Sequence, residues 1–92
     1  MVTAIILLNV ERDKVNEVAR KLVDMQEISE AYSVSGRYDL AAIIRVKENE
    51  QLADAITTKL LKIEGILKTE TLIAFRAYSR HDLECMFSIG ID

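Results

Sequence analysis

The sequence predicts an α+β fold of order β-α-β-β-α-β, and three observations carry that prediction. A strand–helix–strand pattern occurs twice along the 92 residues, with apolar spacing switching from period 2 or continuous runs to helical period and back. The two middle strands meet at Ser35-Gly36-Arg37, where Gly36 supplies the positive φ that a reversal requires. Two of the four strands are apolar on both faces, while the other two carry Glu30, Lys68, Glu70 and Arg76. That distribution fits a four-stranded antiparallel sheet with the apolar pair at its centre and the charged pair at its edges.

Taken in order, Val2–Val10 is apolar except at Thr3 and Asn9, as expected of a strand covered on both faces. Asp13 is a candidate N-cap for the first helix, with Asn9 as its competitor. Val15, Val18, Ala19, Leu22 and Met25 then follow at helical spacing, opposite Glu17, Arg20, Lys21 and Asp24. Ile28–Ser35 and Tyr38–Val46 form the predicted hairpin, whose second strand reads as buried on both faces. Asn49 is the expected cap of a second helix with the stripe Leu52, Ile56, Leu60 and Ile63. Gly65 stands where a left-handed C-cap residue belongs. Ile66–Tyr78 is the predicted last strand, with Leu67, Thr69, Thr71 and Ile73 on one face and Ile66, Lys68, Glu70 and Leu72 on the other. Ser79 would cap a short C-terminal helix carrying Leu83, Met86 and Phe87. Residues 1–78 thus form one ferredoxin-like domain, followed by a helical tail over residues 79–92.

The composition narrows the function. Twelve basic against fifteen acidic residues leave a net charge of −3, without the basic footprint of a nucleic-acid binder. The single Cys85 forms no internal disulfide and points to a reducing compartment. Met1-Val2-Thr3 lacks the positive start of a signal peptide, and Ala4–Leu8 is too short to span a bilayer. A soluble, cytoplasmic protein is expected, with no membrane partner. Half of the residues are hydrophobic. Ile5 and Leu7 on one side of the first strand, and Ala4, Ile6 and Leu8 on the other, need two covers where the helices supply one. A homo-oligomer, with a second copy packed sheet to sheet or sharing an edge, is the economical solution.

Catalytic signatures are scarce, and no enzyme activity is expected. His81, the single histidine, sits in a polar Ser-Arg-His-Asp helix start with no nucleophile in view. Cys85 beside Met86 and Phe87 reads as a small hydrophobe. No Cys/His spacing points to a metal, the three glycines make no phosphate loop, and no cofactor is implied. The hairpin turn offers more. Backbone N–H groups at a turn, assisted by Arg37, can hold a carboxylate, and Asp39 can accept from an ammonium group. Tyr38 supplies an apolar wall with a polar tip, and Thr69 and Thr71 add hydroxyls. An amphoteric molecule such as an amino acid would satisfy this set. An ordinary solvated turn, in which Gly36 turns the chain and Tyr38 packs, accounts for the same residues. Because Asp39 lies at the mouth of the turn, its replacement by alanine is expected to leave folding nearly intact.

Val34-Ser35-Gly36-Arg37-Tyr38-Asp39-Leu40, followed by Glu64-Gly65-Ile66-Leu67-Lys68-Thr69-Glu70-Thr71, resembles the effector-binding domain of the Lrp/AsnC family of transcriptional regulators. These segments match its G-x-aromatic-D hairpin and the G-V-x-x-T-x-T-like run into its last strand. The likeness spans Val2 to about Tyr78. It implies a ferredoxin-like domain of the dimeric α/β-barrel type that pairs through its sheets and assembles into rings of dimers. It also implies a small effector, an amino acid or a similar molecule, held between dimers. By position the ligand-binding candidates are Gly36, Arg37, Tyr38, Asp39, Thr69 and Thr71. Full-length regulators of the family carry a helix-turn-helix domain before this one, whereas this chain begins at the first strand. The resemblance is therefore to the stand-alone form, which would not bind DNA directly and could partner a full-length regulator. Two alternatives share the scaffold: a small dimeric enzyme of the monooxygenase type, and an ACT-like amino-acid-binding domain.

Overall fold

The computed structural model describes residues 1–78 and Arg80. The expected C-terminal helix, with His81, Leu83, Cys85, Met86 and Phe87, lies outside the described residues. Within them the order is β1 (Val2–Val10), α1 (Val15–Asp24), β2 (Ile28–Ser33), β3 (Leu40–Val46), α2 (Asn49–Asp54) and β4 (Ile66–Ala74). The strands form one antiparallel sheet in the order β2-β3-β1-β4. The two apolar strands are central and the charged ones are at the edges, as their sequences predict.

Both helical segments cover one face of this sheet. Ala4, Ile6, Leu8 and Val10 of β1 and Leu40, Ala42, Ile44 and Val46 of β3 are buried there with Val18 and Leu22 of α1 and Leu52 and Leu60 of the second helical segment. Each large side chain removed from water in this way contributes about 1.5–3 kcal/mol to folding. On the opposite face, Ile5, Leu7, Ala41 and Ile43 remain only half-buried and Leu72 is exposed. Among the described residues, the second strand of the hairpin is therefore fully covered on one face only.

The element ends depart from the sequence reading for local reasons. The first helix begins with a 3-10 turn, Arg12–Lys14, and no side chain caps it. Instead, the Glu11 N–H donates to the Gly65 carbonyl at 2.8 Å. The second helix is capped at Glu48 rather than Asn49, with Gln51 Oε1 accepting from the backbone N–H groups of Lys47 and Glu48. It continues as a π-helical turn over Ala55–Lys59 and a 3-10 turn over Leu60–Lys62. Strand β2 stops at Ser33 and β3 starts at Leu40, so the connection is longer than a tight turn. β4 ends at Ala74 because β1 supplies no partner beyond Thr3.

A bulge in β4 changes which residues share a face. Asn9 pairs with Lys68 and Val10 with Ile66, leaving Leu67 as the extra residue. Past a bulge the alternation of side chains shifts by one. Ile66 therefore joins Thr69, Thr71 and Ile73 on the helix side, whereas the uninterrupted alternation of the sequence reading placed it opposite them.

Gly65 takes φ +100°, as its position after the second helical segment predicts, and it is pinned from a second direction. A Cβ there would stand 3.1 Å from both Lys14 Cδ and Val18 Cγ2. Gly65→Ala should therefore cost about 1–3 kcal/mol, read as a lower urea midpoint with unchanged slope. An unchanged midpoint would show that the contact between this turn and the start of α1 relaxes freely.

Candidate functional site

The connection between β2 and β3 is fixed onto the end of β1 by hydrogen bonds distant in sequence. The Asp39 N–H donates to the Leu8 carbonyl at 2.9 Å, and the Asp39 carbonyl accepts from Val34 N–H at 3.0 Å. The Asp39 carboxylate accepts from Val10 N–H through Oδ2 at 2.9 Å. Asn9 Nδ2 donates to the Arg37 carbonyl at 2.8 Å. Gly36 sits at the exposed tip with φ +132°, and a Cβ there would meet nothing within 4 Å. Its role is conformational: the backbone needs glycine, while the surrounding space does not.

Asp39 is thus more than a solvated neighbour of the turn. Its carboxylate satisfies a part-buried backbone donor of the central strand, so the expectation that Asp39→Ala leaves folding nearly intact is corrected. One carboxylate oxygen is committed to Val10, and the half-buried side chain keeps a second oxygen for another donor.

Tyr38 reaches past β1, and its hydroxyl donates to Glu70 Oε1 of β4 at 2.6 Å. This bond favours the protonated phenol, and the neighbouring carboxylate charge works the same way, raising Tyr38 above its ordinary pKa. Arg37 is exposed beside it. The turn therefore touches β1 through Asp39 and the Arg37 carbonyl, and β4 through Tyr38.

The six candidates are not all gathered in one place. Gly36, Arg37, Tyr38 and Asp39 share the turn. Thr69 pairs with Leu8 and Thr71 with Ile6, so both threonines face the helix side, Thr69 half-buried and Thr71 exposed. Glu70 between them pairs with Leu7 on the open side and is the residue that contacts the turn. Sequence reasoning missed Glu70 and Asn9. The signal available for Asn9 was its polarity within an otherwise apolar strand; for Glu70, only its place in the alternation of β4. Among the described residues, no group of three or more His, Cys, Asp or Glu side chains is placed to hold a metal ion, and no helix is long and apolar enough to cross a membrane.

With this geometry in view, the chain can be compared with known proteins. A family model described as the Lrp/AsnC ligand binding domain matches residues 3–83, a span that includes the turn and all of β4. The HTH-type transcriptional regulator FL11 of Pyrococcus furiosus is 38% identical over 77 residues, covering 84% of this chain and 50% of its own length. The chain spans about half the length of the first curated relatives it matches. The crystal structure of TTHA0845 from Thermus thermophilus superposes with a TM-score of 0.81 at 41% identity, covering 87% of this chain and 100% of that one. A more distant structure, the complex of the transcriptional regulator NMB0573 of Neisseria meningitidis with L-Met, has a TM-score of 0.77 at 12% identity. It covers 86% of this chain and 53% of that one, and at that identity it shares the fold alone.

Proposed function

The chain belongs to the Lrp/AsnC ligand-binding domain family, and we propose that it is an effector-sensing and oligomerisation module without catalytic activity. It binds an amino acid or a similar small molecule between dimers, in the reducing interior of the cell, and does not contact DNA directly. The observation that carries this reading is the turn itself. Four hydrogen bonds to residues of β1 and β4 hold it at one end of a sheet face whose apolar centre is only half-buried among the described residues. A rigid polar element beside an apolar interface is where a ligand can bias one assembly state over another.

The chemistry of the turn suits an amphoteric effector. Arg37 and the turn N–H groups favour a carboxylate, and the second oxygen of Asp39 favours an ammonium group. Thr69 and Thr71 act from the helix side of β4, where a neighbouring dimer would complete the site. Regulation then follows from linkage: the effector shifts assembly by no more than its difference in affinity for the two states. A full-length regulator of the same family, sharing the sheet interface, is the proposed route to transcription.

An enzyme on the same scaffold would place reactive groups on the open sheet face. Its central positions here are Ile5, Leu7, Ala41 and Ile43, which favours the sensing reading. The test is thermal denaturation against the twenty amino acids with light scattering in parallel. At one hundred times its dissociation constant the effector should stabilise the fold by about 2.7 kcal/mol, with a change in assembly size. No shift with any amino acid would overturn the assignment of an amino-acid effector.

A further inference from the structure

We propose that the Tyr38–Glu70 pair is the positioning link through which an effector held at the turn alters assembly across the open sheet face; this rests on the effector reading above. Tyr38 lies between Arg37 and Asp39, so its backbone belongs to the turn. Its hydroxyl, however, donates to Glu70 Oε1 at 2.6 Å, 32 residues away. The register fixes where that contact is made. Glu70 pairs with Leu7, and the neighbours of Leu7 in β1, Ile6 and Leu8, are buried beneath the helices. Side chains alternate along a strand, so Leu7 and Glu70 are on the open side. With β1 between β3 and β4, the phenol crosses the end of β1 on that side to reach Glu70. Tyr38 is half-buried, whereas residues 32–37 before it are exposed. It is a side chain of the turn and of the open face at once.

The backbone on both sides of Tyr38 is held to β1. The Arg37 carbonyl accepts from Asn9 Nδ2, and Asp39 bonds to Leu8 and Val10. With its flanks fixed and only two side-chain torsions, the phenol follows the turn. Its tip is anchored by a hydroxyl-to-carboxylate bond of the short, charge-assisted kind. An aromatic body with a polar tip suits the rim of an apolar interface. An effector that engages Arg37 and the second oxygen of Asp39 holds the turn through both neighbours of Tyr38, and so presents this rim pre-formed to a second copy. Reciprocity then requires assembly to tighten effector binding by the same factor.

The other edge of the sheet supplies an internal comparison. Tyr32 donates to Glu30 Oε2 at 2.5 Å, and the two residues pair with Ala41 and Ile43 of β3, so they also face the open side. That bond joins residues two apart in one strand and ties neither to the turn. The chemistry is the same, and the connection to the effector site is missing.

The experiment measures the dimer dissociation constant by sedimentation equilibrium, with and without each of the twenty amino acids, for the parent chain, Glu70→Ala, Glu70→Gln and Glu30→Ala. Both acids are exposed on edge strands, so folding should survive each substitution. An amino acid that raises the melting temperature of the parent should also tighten its dimer at least about fivefold. In Glu70→Ala that tightening should fall below about twofold, while the same amino acid still raises the melting temperature. Glu70→Gln, whose amide oxygen accepts from the phenol, should regain most of the response, and Glu30→Ala should respond like the parent. A parental response in Glu70→Ala, or an equal loss in Glu30→Ala, would overturn the link and leave the effector reading standing. So would a thermal shift in the parent without any tightening of its dimer. Loss of the thermal shift in Glu70→Ala would make Glu70 a recognition residue and overturn its positioning role. A parent chain that shows neither response with any amino acid would overturn the amino-acid reading and the link together.

Discussion

Ile5→Glu should convert the assembly to folded monomers. Ile5 occupies the middle of the open sheet face, with Ile43 of β3 and Leu72 of β4 as its cross-strand partners. In an isolated chain the position is half-buried and borders solvent, so a carboxylate there stays hydrated and the strand pairing is kept. In a dimer packed through this face, the same carboxylate would be buried without a partner, at a cost of about 3–5 kcal/mol. A symmetric interface doubles the effect, because each subunit presents the same residue. Dimer affinity should fall by at least about a thousandfold, read by sedimentation velocity, while the far-ultraviolet circular dichroism spectrum is retained. A variant that sediments like the parent would remove the open face from the interface and with it the assembly part of the proposed function.

How much of this was legible in the sequence depends on the range of the interaction. The apolar runs of β1 and β3, the helical stripes of Val18 and Leu22 and of Leu52 and Leu60, and the positive φ of Gly65 are local patterns, and each has its expected place in the fold. The unmatched second face was also legible, because alternation along β1 counts both faces at once. The Lrp/AsnC resemblance at the hairpin and at the start of β4 agrees with the family match over residues 3–83.

The details that position the site were not legible, because they arise between residues about thirty apart. Nothing near Asp39 indicates that its carboxylate will meet the N–H of Val10, nor does the neighbourhood of Tyr38 point to Glu70. Both contacts depend on how far the β2–β3 connection leans over β1. The bulge at Leu67 was hidden for a related reason. A single inserted residue leaves composition and propensity unchanged but shifts the phase of the strand, and Ile66 changes sides.

Asp39 allows the structural and ligand-binding roles of the turn to be separated, through a pair of substitutions with different expected outcomes. Asp39→Ala removes the acceptor of the Val10 N–H, which is part-buried on a central strand. Leaving that donor unsatisfied should cost about 1–3 kcal/mol, seen as a lower urea midpoint, and it should loosen the turn that Asn9 and Leu8 also hold. Asp39→Asn keeps a side-chain oxygen able to accept the same bond, so most of the stability should return. What asparagine cannot restore is the negative charge. If Asp39 holds an ammonium group of the effector, Asp39→Asn should bind it at least about tenfold more weakly, the loss of one charge-assisted hydrogen bond, with near-parental stability. Isothermal titration with the amino acid selected by the thermal panel would measure this. Parental affinity in Asp39→Asn, alongside the stability loss in Asp39→Ala, would assign the carboxylate wholly to holding β1 and shift recognition of the ammonium group towards Glu70, the acid that the turn contacts through Tyr38.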